Sequence, residues 1–75
     1  MSATMDSIKR IISQQLGIRK IGDHDHFIEN LGAESVDVMN IVVAVEEKYG
    51  ITIKESEIPH IQTPATLYNF VISRL

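Results

Sequence analysis

The residues best suited to carry chemistry in this sequence surround Ser35, in the segment 31–37, which reads LGAESVD. The serine stands where a long glycine-containing stretch meets a run without glycine or proline, and Glu34 and Asp37 flank it. A serine at such a junction is typical of a helix N-cap, whose side chain accepts a hydrogen bond from the first turn. It also suits a modification site, because a phosphate ester there would meet the free N–H groups and the dipole of a helix N-terminus.

The sequence does not support a role for Ser35 as the nucleophile of a serine hydrolase. The sequence has no G-x-S-x-G turn, which exposes the nucleophile in α/β-hydrolases, and 75 residues leave no room for a pocket with a base and its orienting group. We therefore expect no catalytic residues. The acids beside Ser35 would repel a phosphate, so contact with a partner protein explains them better.

A second polar cluster, residues 23–26 (DHDH), invites interpretation as a metal site. As a calcium loop that starts at Asp23, it places Ile28 where an EF-hand requires glycine. A zinc site would need a third and a fourth ligand, and His60 is the only histidine elsewhere. The cluster therefore predicts a solvated turn and no metal site.

Helices must position these residues. Apolar residues at helical spacing predict a first helix over residues 4–16, which Ser2 or Thr4 caps and Gly17 ends. Residues 17–34 show no periodicity and predict a connection unusually long for so small a domain, which is more often functional than idle.

Residues 35–49 predict a second helix that ends at Gly50, with two different faces. The core face consists of Val38, Val42, Val45 and Tyr49. The other face mixes valines with polar groups, as a partner-binding surface does; it consists of Val36, Asn40, Val43 and Glu47.

The last third of the chain predicts one short and one longer helix. Pro59 limits residues 56–61 to at most one helical turn or an irregular segment. Thr63 as a cap, followed by Pro64 at the first helical position, is a strong start signal for the last helix. We predict an all-α fold, a small bundle of three to four helices with a long loop between helices 1 and 2. The whole chain, residues 1–75, forms a single domain in this prediction.

Composition excludes several classes of protein. With 44% apolar and 23% charged residues the chain should fold, without cysteine to provide disulfides or thiolate ligands. The longest apolar run, residues 41–45, is too short to cross a bilayer, and the first residues do not resemble a signal peptide, so we expect a cytoplasmic protein. A net charge of −3 disfavours binding to nucleic acid, whereas five acids without Lys or Arg in residues 23–37 suit a basic partner.

Residues 27–37, which read FIENLGAESVD, closely resemble the phosphopantetheine attachment region of acyl carrier proteins, whose usual form is F-x-x-D/N-L-G-x-D-S-L-D. The likeness continues through residues 42–53 and the Thr-Pro start of the last helix, so it covers essentially the whole chain. Four positions depart from the family pattern and suggest a specialised carrier with its own enzymes: Glu34 for Asp, Val36 for Leu, Asn40 for a common acid, and Lys48 within an acidic run.

The resemblance implies the fold of the acyl carrier family and a carrier rather than an enzyme. Ser35 would receive 4′-phosphopantetheine from coenzyme A through a separate phosphopantetheinyl transferase. The thiol of that group would hold an acyl or aminoacyl cargo as a thioester, in a specialised lipid, polyketide or related pathway.

The resemblance also implies two sets of contact residues in a protein that we expect to be monomeric. The residues expected to bind the transferase and the acyl-loading and acyl-processing enzymes are Glu34, Val36, Asp37, Asn40, Val43, Glu46 and Glu47. The residues expected to line an acyl-chain pocket are Phe27, Val38, Val42, Val45 and Ile61. The alternative from another class is an unmodified helical interaction or regulatory module, in which Ser35 is a plain helix N-cap.

Overall fold

The computed structural model describes residues 2–75, which form three α-helices and one 3₁₀ helix and, within that range, no strand. In chain order these are α1 (Met5–Leu16), α2 (Ser35–Tyr49), the 3₁₀ helix η1 (Glu55–His60) and α3 (Pro64–Arg74). The predicted all-α bundle with a long loop between helices 1 and 2 is confirmed.

The ends of α1 follow from local residue chemistry. The Thr4 side chain accepts a hydrogen bond from the Ser7 N–H at 3.1 Å, which satisfies one of the free donors of the first turn. Gly17 ends the helix at φ 69°, a left-handed conformation that glycine adopts without the steric cost of a Cβ atom. Between these caps, Ile8, Ile11 and Ile12 are buried.

The two predicted faces of α2 lie as expected. Its core face is buried and includes one residue that the sequence argument did not list; it consists of Val38, Ile41, Val42, Val45 and Tyr49. The opposite face is exposed. Gly50 ends α2 in the same left-handed conformation as Gly17 ends α1.

The segment before α3 is more helical than predicted. The 3₁₀ helix η1 runs over six residues, about two turns at three residues per turn, and includes Pro59. The Glu57 carboxylate accepts from the Lys54 N–H at 3.0 Å and fixes its start. The expectation of at most one turn was therefore wrong. Thr63 and Pro64 begin α3 as predicted, and the Thr63 hydroxyl accepts from the Thr66 N–H at 3.1 Å.

The core lies around α1, which packs against both α2 and α3. Phe27 from the long connection is 1% exposed and fills the centre together with aliphatic side chains from all three α-helices. Tyr49 is 5% exposed, and its hydroxyl has no hydrogen-bond partner among the described residues. Such an unpaired buried hydroxyl costs about 1–3 kcal/mol.

The long connection between α1 and α2 is tied to the rest of the fold by main-chain hydrogen bonds. The Phe27 N–H donates to the Gln62 carbonyl, and the Ala65 N–H donates to the Asp23 carbonyl, both at 2.9 Å. These bonds fasten the connection to the junction of η1 and α3. The Lys9 ammonium of α1 adds an ion pair with the Asp23 carboxylate.

Candidate functional site

Ser35 is the first residue inside α2 and not its N-cap. The cap is Glu34, with an extended backbone at φ −94° and ψ 168°, and its carbonyl accepts the Val38 N–H at 3.1 Å to begin the helix. The Asp37 carboxylate accepts in turn from the Glu34 N–H at 2.9 Å. The prediction of Ser35 as a plain helix N-cap was therefore wrong by one residue, because the glutamate before it takes the capping position.

The Ser35 side chain is exposed and uncommitted. Within residues 2–75 its hydroxyl makes no hydrogen bond, neither to a histidine nor to the neighbouring acids. Its own N–H and that of Val36 lie in the first helical turn, where no carbonyl one turn earlier can accept from them. The position therefore combines a free hydroxyl with backbone donors that can face an anion.

The turn that leads to Ser35 is held by a pair of side chains that the sequence argument missed. The His26 Nδ1 atom accepts from the N–H groups of Ile28 and Glu29, each at 3.2 Å. The Asn30 side chain accepts from the His26 N–H at 2.7 Å. The sequence contained a signal for this pair: His26 and Asn30 are four residues apart, about one helical turn. Histidine takes the position at which a more usual capping residue would stand.

An apolar stripe begins beside Ser35 on the exposed face of α2. Val36 is 60% exposed, Met39 45% and Val43 46%. Met39 was not among the predicted partner-binding residues, although its position four residues after Ser35 places it on the same side of the helix. Asn40 and Glu47, which were predicted, are also exposed.

The predicted partner-binding acids differ in what they contact. Glu34 and Glu47 are exposed, whereas Asp37 binds the Glu34 N–H. Glu46 is half-buried, and its carboxylate accepts from the Ile53 N–H at 2.9 Å. Glu46 therefore fastens the segment after α2 to the helix. The predicted role of these residues in binding partners stays a prediction.

The predicted acyl-chain pocket residues belong to the closed core. All five are buried: Phe27, Val38, Val42, Val45 and Ile61. One cavity, of about 390 Å³, lies between α1 and α2 beside Arg10 and Lys48, and another, of about 370 Å³, lies between η1 and α3 beside Ile61 and Phe70. Only Ile61 of the predicted five lines either of these cavities, and the pocket stays a prediction.

The DHDH cluster forms the expected turn, with polar groups that bind within the molecule. Asp23 pairs with Lys9, and the Asp25 carboxylate accepts from the Gly22 N–H at 2.8 Å. Over residues 2–75 no three His, Asp or Glu side chains are grouped to hold a metal ion. In the same range no helix has the length and hydrophobicity needed to cross a membrane.

Two carboxyl groups have shifted acidities, and neither is near Ser35 in the sequence. A hydrogen bond from the Lys9 ammonium, together with its charge, lowers the pKa of Asp23 below its usual value of 3.8. The hydrogen bond from the Lys54 N–H, with a smaller contribution from Arg74, lowers the pKa of Glu57 below 4.5. Both shifts stabilise the ionised forms and have structural causes.

Comparison with known proteins identifies the family. Residues 6–71 match the family described as the phosphopantetheine attachment site, so the chain belongs to that family. The fold is similar to the solved structure of a protein from Mycobacterium tuberculosis that is described as an acyl carrier protein, with a TM-score of 0.88 and 22% sequence identity. The similarity covers 97% of this chain and 100% of that one.

Domains of this family are sites of covalent 4′-phosphopantetheine attachment, and the residues around Ser35 fit that group. Attachment through a phosphodiester needs an accessible hydroxyl, and the Ser35 hydroxyl is exposed and makes no hydrogen bond within the described chain. The first turn of α2 can place N–H donors beside the phosphate. When bound, the group supplies a thiol that forms thioesters; this chain has no cysteine of its own.

Proposed function

We propose that this protein is an acyl or aminoacyl carrier in which Ser35 bears 4′-phosphopantetheine. The observation that carries the proposal is the exposed, uncommitted Ser35 hydroxyl at the first position of α2, within a chain that matches the attachment family over residues 6–71. Ser35 at the first helical position suits modification better than a serine at the N-cap position would. The hydroxyl of an N-cap serine is already engaged in a hydrogen bond with the first turn, and modification would disturb that bond.

The attachment is a phosphoryl transfer from coenzyme A to this chain. The Ser35 oxygen forms a new bond to the phosphorus that bears pantetheine, and the P–O bond of the coenzyme A pyrophosphate breaks. Adenosine 3′,5′-bisphosphate leaves with the electron pair of that bond, and the hydroxyl proton is released to solvent. The helix N-terminus favours the anionic phosphodiester through its N–H groups and dipole. The carboxylate nearest in the helix, Asp37, is directed to the Glu34 N–H, so its charge is partly compensated.

The partners in this proposal are a phosphopantetheinyl transferase and the enzymes that load and process the cargo. Any enzyme that reaches the Ser35 oxygen must cover the residues around it, which include the exposed apolar Val36 and Met39. We place Asn40, Val43 and Glu47 on the same contact surface, with Glu34 and Asp37 at its edge. Apolar contacts would provide affinity, and the few exposed charges would provide orientation.

The cargo would enter the bundle between the helices, along the predicted pocket residues, in a specialised lipid, polyketide or related pathway. These side chains are closely packed in the core. A chain of several methylene groups would gain about 0.8 kcal/mol for each buried CH₂, which offsets part of the cost of separating the helices. The carrier would act as a monomer.

The experiment is intact mass spectrometry after incubation with coenzyme A, Mg²⁺ and a broad-specificity phosphopantetheinyl transferase. We expect addition of one phosphopantetheinyl group to the wild-type protein and none to Ser35→Ala. Ser56→Ala, which removes another exposed serine hydroxyl, should be modified like the wild type. Because Ser35 caps nothing, Ser35→Ala should change the free energy of unfolding by no more than about 0.5 kcal/mol.

The result that overturns the proposal is an unmodified wild-type protein, with both this transferase and a lysate of the native host as the source of enzyme. The unmodified helical interaction module would then explain the chain better. If the Ser35→Ala variant were modified at another residue, the carrier function would stand and the assignment of Ser35 as the attachment site would be wrong.

A further inference from the structure

His26 takes the position that Ser, Asp or Asn usually takes at the start of a helical turn. Its Nδ1 atom accepts from the N–H groups two and three residues later, on Ile28 and Glu29, each at 3.2 Å. The Asn30 side chain returns a hydrogen bond by accepting from the His26 N–H at 2.7 Å. This reciprocal arrangement is similar to a capping box, with an imidazole as the acceptor and with the returning side chain four residues later instead of three.

The capped turn is continuous with the residues before Ser35. The His26 carbonyl accepts from Asn30 and Leu31, at 2.9 and 3.1 Å. The Phe27 carbonyl then accepts from the Ala33 N–H at 2.9 Å, and Ala33 is buried two residues before Ser35. These hydrogen bonds order the segment from His26 to Ala33, two residues before Ser35.

We propose that His26 is a positioning residue that orders the approach to Ser35 only while its imidazole is neutral. Nδ1 can accept a hydrogen bond when it carries no proton, and a protonated imidazole has donors at both nitrogens and no acceptor. Imidazole is the side chain whose charge ordinarily changes between pH 5 and 8. Protonation would leave the Ile28 and Glu29 N–H groups without their acceptor and loosen the turn. The effect on Ser35 modification rests on the proposed carrier function.

The elements around His26 carry charges of both signs. Its own connection, residues 17–34, carries Arg19, Lys20, Asp25 and Glu29 and a second imidazole, His24, and the start of α2 carries Glu34 and Asp37. From α1, Lys9 is paired with Asp23. The junction of η1 and α3 at residues 62–65, which binds the main chain of this segment, contains no titratable side chain.

The test compares the wild type with His26→Ser, because serine caps a helical turn at any of these pH values. Hydrogen exchange is measured by NMR at pH 8 and pH 5.5 and corrected for intrinsic exchange. On acidification we expect the protection of the Ile28 and Glu29 amides to fall about fivefold in the wild type, because the loss of an ordinary N-cap hydrogen bond has an effect of this size. In His26→Ser we expect the protection of both amides to stay constant. His24→Ser, which replaces an exposed histidine two residues earlier, should behave like the wild type.

The second readout is the rate of Ser35 modification by the same transferase. Dividing the wild-type rate by the His26→Ser rate cancels the pH dependence of the enzyme itself. We expect this ratio to be close to one at pH 8 and to fall about twofold to fivefold at pH 5.5.

Equal protection at both pH values in the wild type overturns the proposal, as does an identical pH response in His26→Ser. A protection change without a change in the rate ratio would overturn the link to Ser35. If no variant is modified at any pH, the carrier function fails, while the exchange data still decide whether His26 caps the turn.

Discussion

The two connections that join the α-helices are held in place by different means. The α1–α2 connection, residues 17–34, is fastened by main-chain hydrogen bonds to Gln62 and Ala65 and by the buried Phe27 ring. The α2–α3 connection, residues 50–63, is fastened by charged side chains that reach it from the helices on either side.

Two side chains do this for the α2–α3 connection. Glu46 from α2 binds the Ile53 N–H. Arg74 at the end of α3 pairs with Glu57, donates to the Thr52 carbonyl at 3.4 Å, and lies with its guanidinium carbon 4.3 Å from the centroid of the Phe70 ring. Both connections also have buried apolar side chains, and the α1–α2 connection has the Lys9–Asp23 ion pair, so the difference is one of degree. The α2–α3 connection has more contacts from charged side chains and should respond more to ionic conditions.

The largest expected effect comes from the apolar anchor of the α1–α2 connection. Phe27→Ala should lower the free energy of unfolding by about 3–5 kcal/mol, because it removes a buried ring and leaves a cavity. Urea unfolding measures the change. Ile28→Ala is the matched control: Ile28 is 44% exposed, so its loss should cost less than about 1 kcal/mol. Similar costs for both variants would contradict an anchor at Phe27.

A smaller loss is expected from the charged anchor of the α2–α3 connection. Glu46→Ala leaves the Ile53 N–H without its acceptor and should cost about 1–3 kcal/mol by urea unfolding. Glu47→Ala, one residue along the same helix and exposed, should stay within about 0.5 kcal/mol of the wild type. If Glu47→Ala lowered the free energy of unfolding as much as Glu46→Ala does, the hydrogen bond to the Ile53 N–H could not be the reason for the loss at Glu46.

The smallest expected effect is the loss of stability at acidic pH, and it distinguishes the Lys9–Asp23 ion pair from the Arg74–Glu57 ion pair. Asp23 and Glu57 have pKa values lowered in the folded protein, so their contributions to stability are present above the unfolded pKa and are lost as the pH falls through the folded pKa. The loss should therefore begin at about pH 4.5 and continue at lower pH.

Lys9→Met and Arg74→Met test the causes of these two shifts. Lys9 is the main cause for Asp23, so Lys9→Met should abolish that part of the pH dependence. The Lys54 N–H is the main cause for Glu57, so Arg74→Met should leave most of it. The measurement is the unfolding midpoint at several values between about pH 5 and pH 3. If both variants reduced the pH dependence of the unfolding midpoint equally, the hydrogen bond from the Lys54 N–H would not be the main cause of the shifted pKa of Glu57.

Local chemistry explains why the helix ends could be predicted. Thr4, Gly17, Gly50 and Thr63 act on backbone groups within a few residues of themselves, so their types and positions suffice. The cap of α2 was misplaced because Glu34 and Ser35 can both accept a hydrogen bond, and only the backbone conformation decides between them. The length of η1 was underestimated because a 3₁₀ helix accommodates Pro59.

The contacts of the candidate site were harder to predict because they depend on how segments meet. Glu46 was predicted to bind partners, and that role stays a prediction. Its hydrogen bond with the Ile53 N–H, seven residues later, could not be predicted because it depends on how the chain returns after Gly50. His26 was considered as a metal ligand, and its use as a cap depends on the turn that follows it. Ser35 could be predicted as the attachment residue because the residues around it form a continuous motif.

The buried ring of Tyr49 makes this core observable by optical spectroscopy. The chain has two tyrosines and no tryptophan, and of the two only Tyr49 is fully buried. A ring fixed in a packed core contributes to the near-ultraviolet circular dichroism, which is lost when packing loosens. A change in this band when the carrier is loaded would report entry of the cargo into the core. An unchanged band would report a cargo left outside it, without any label on the protein.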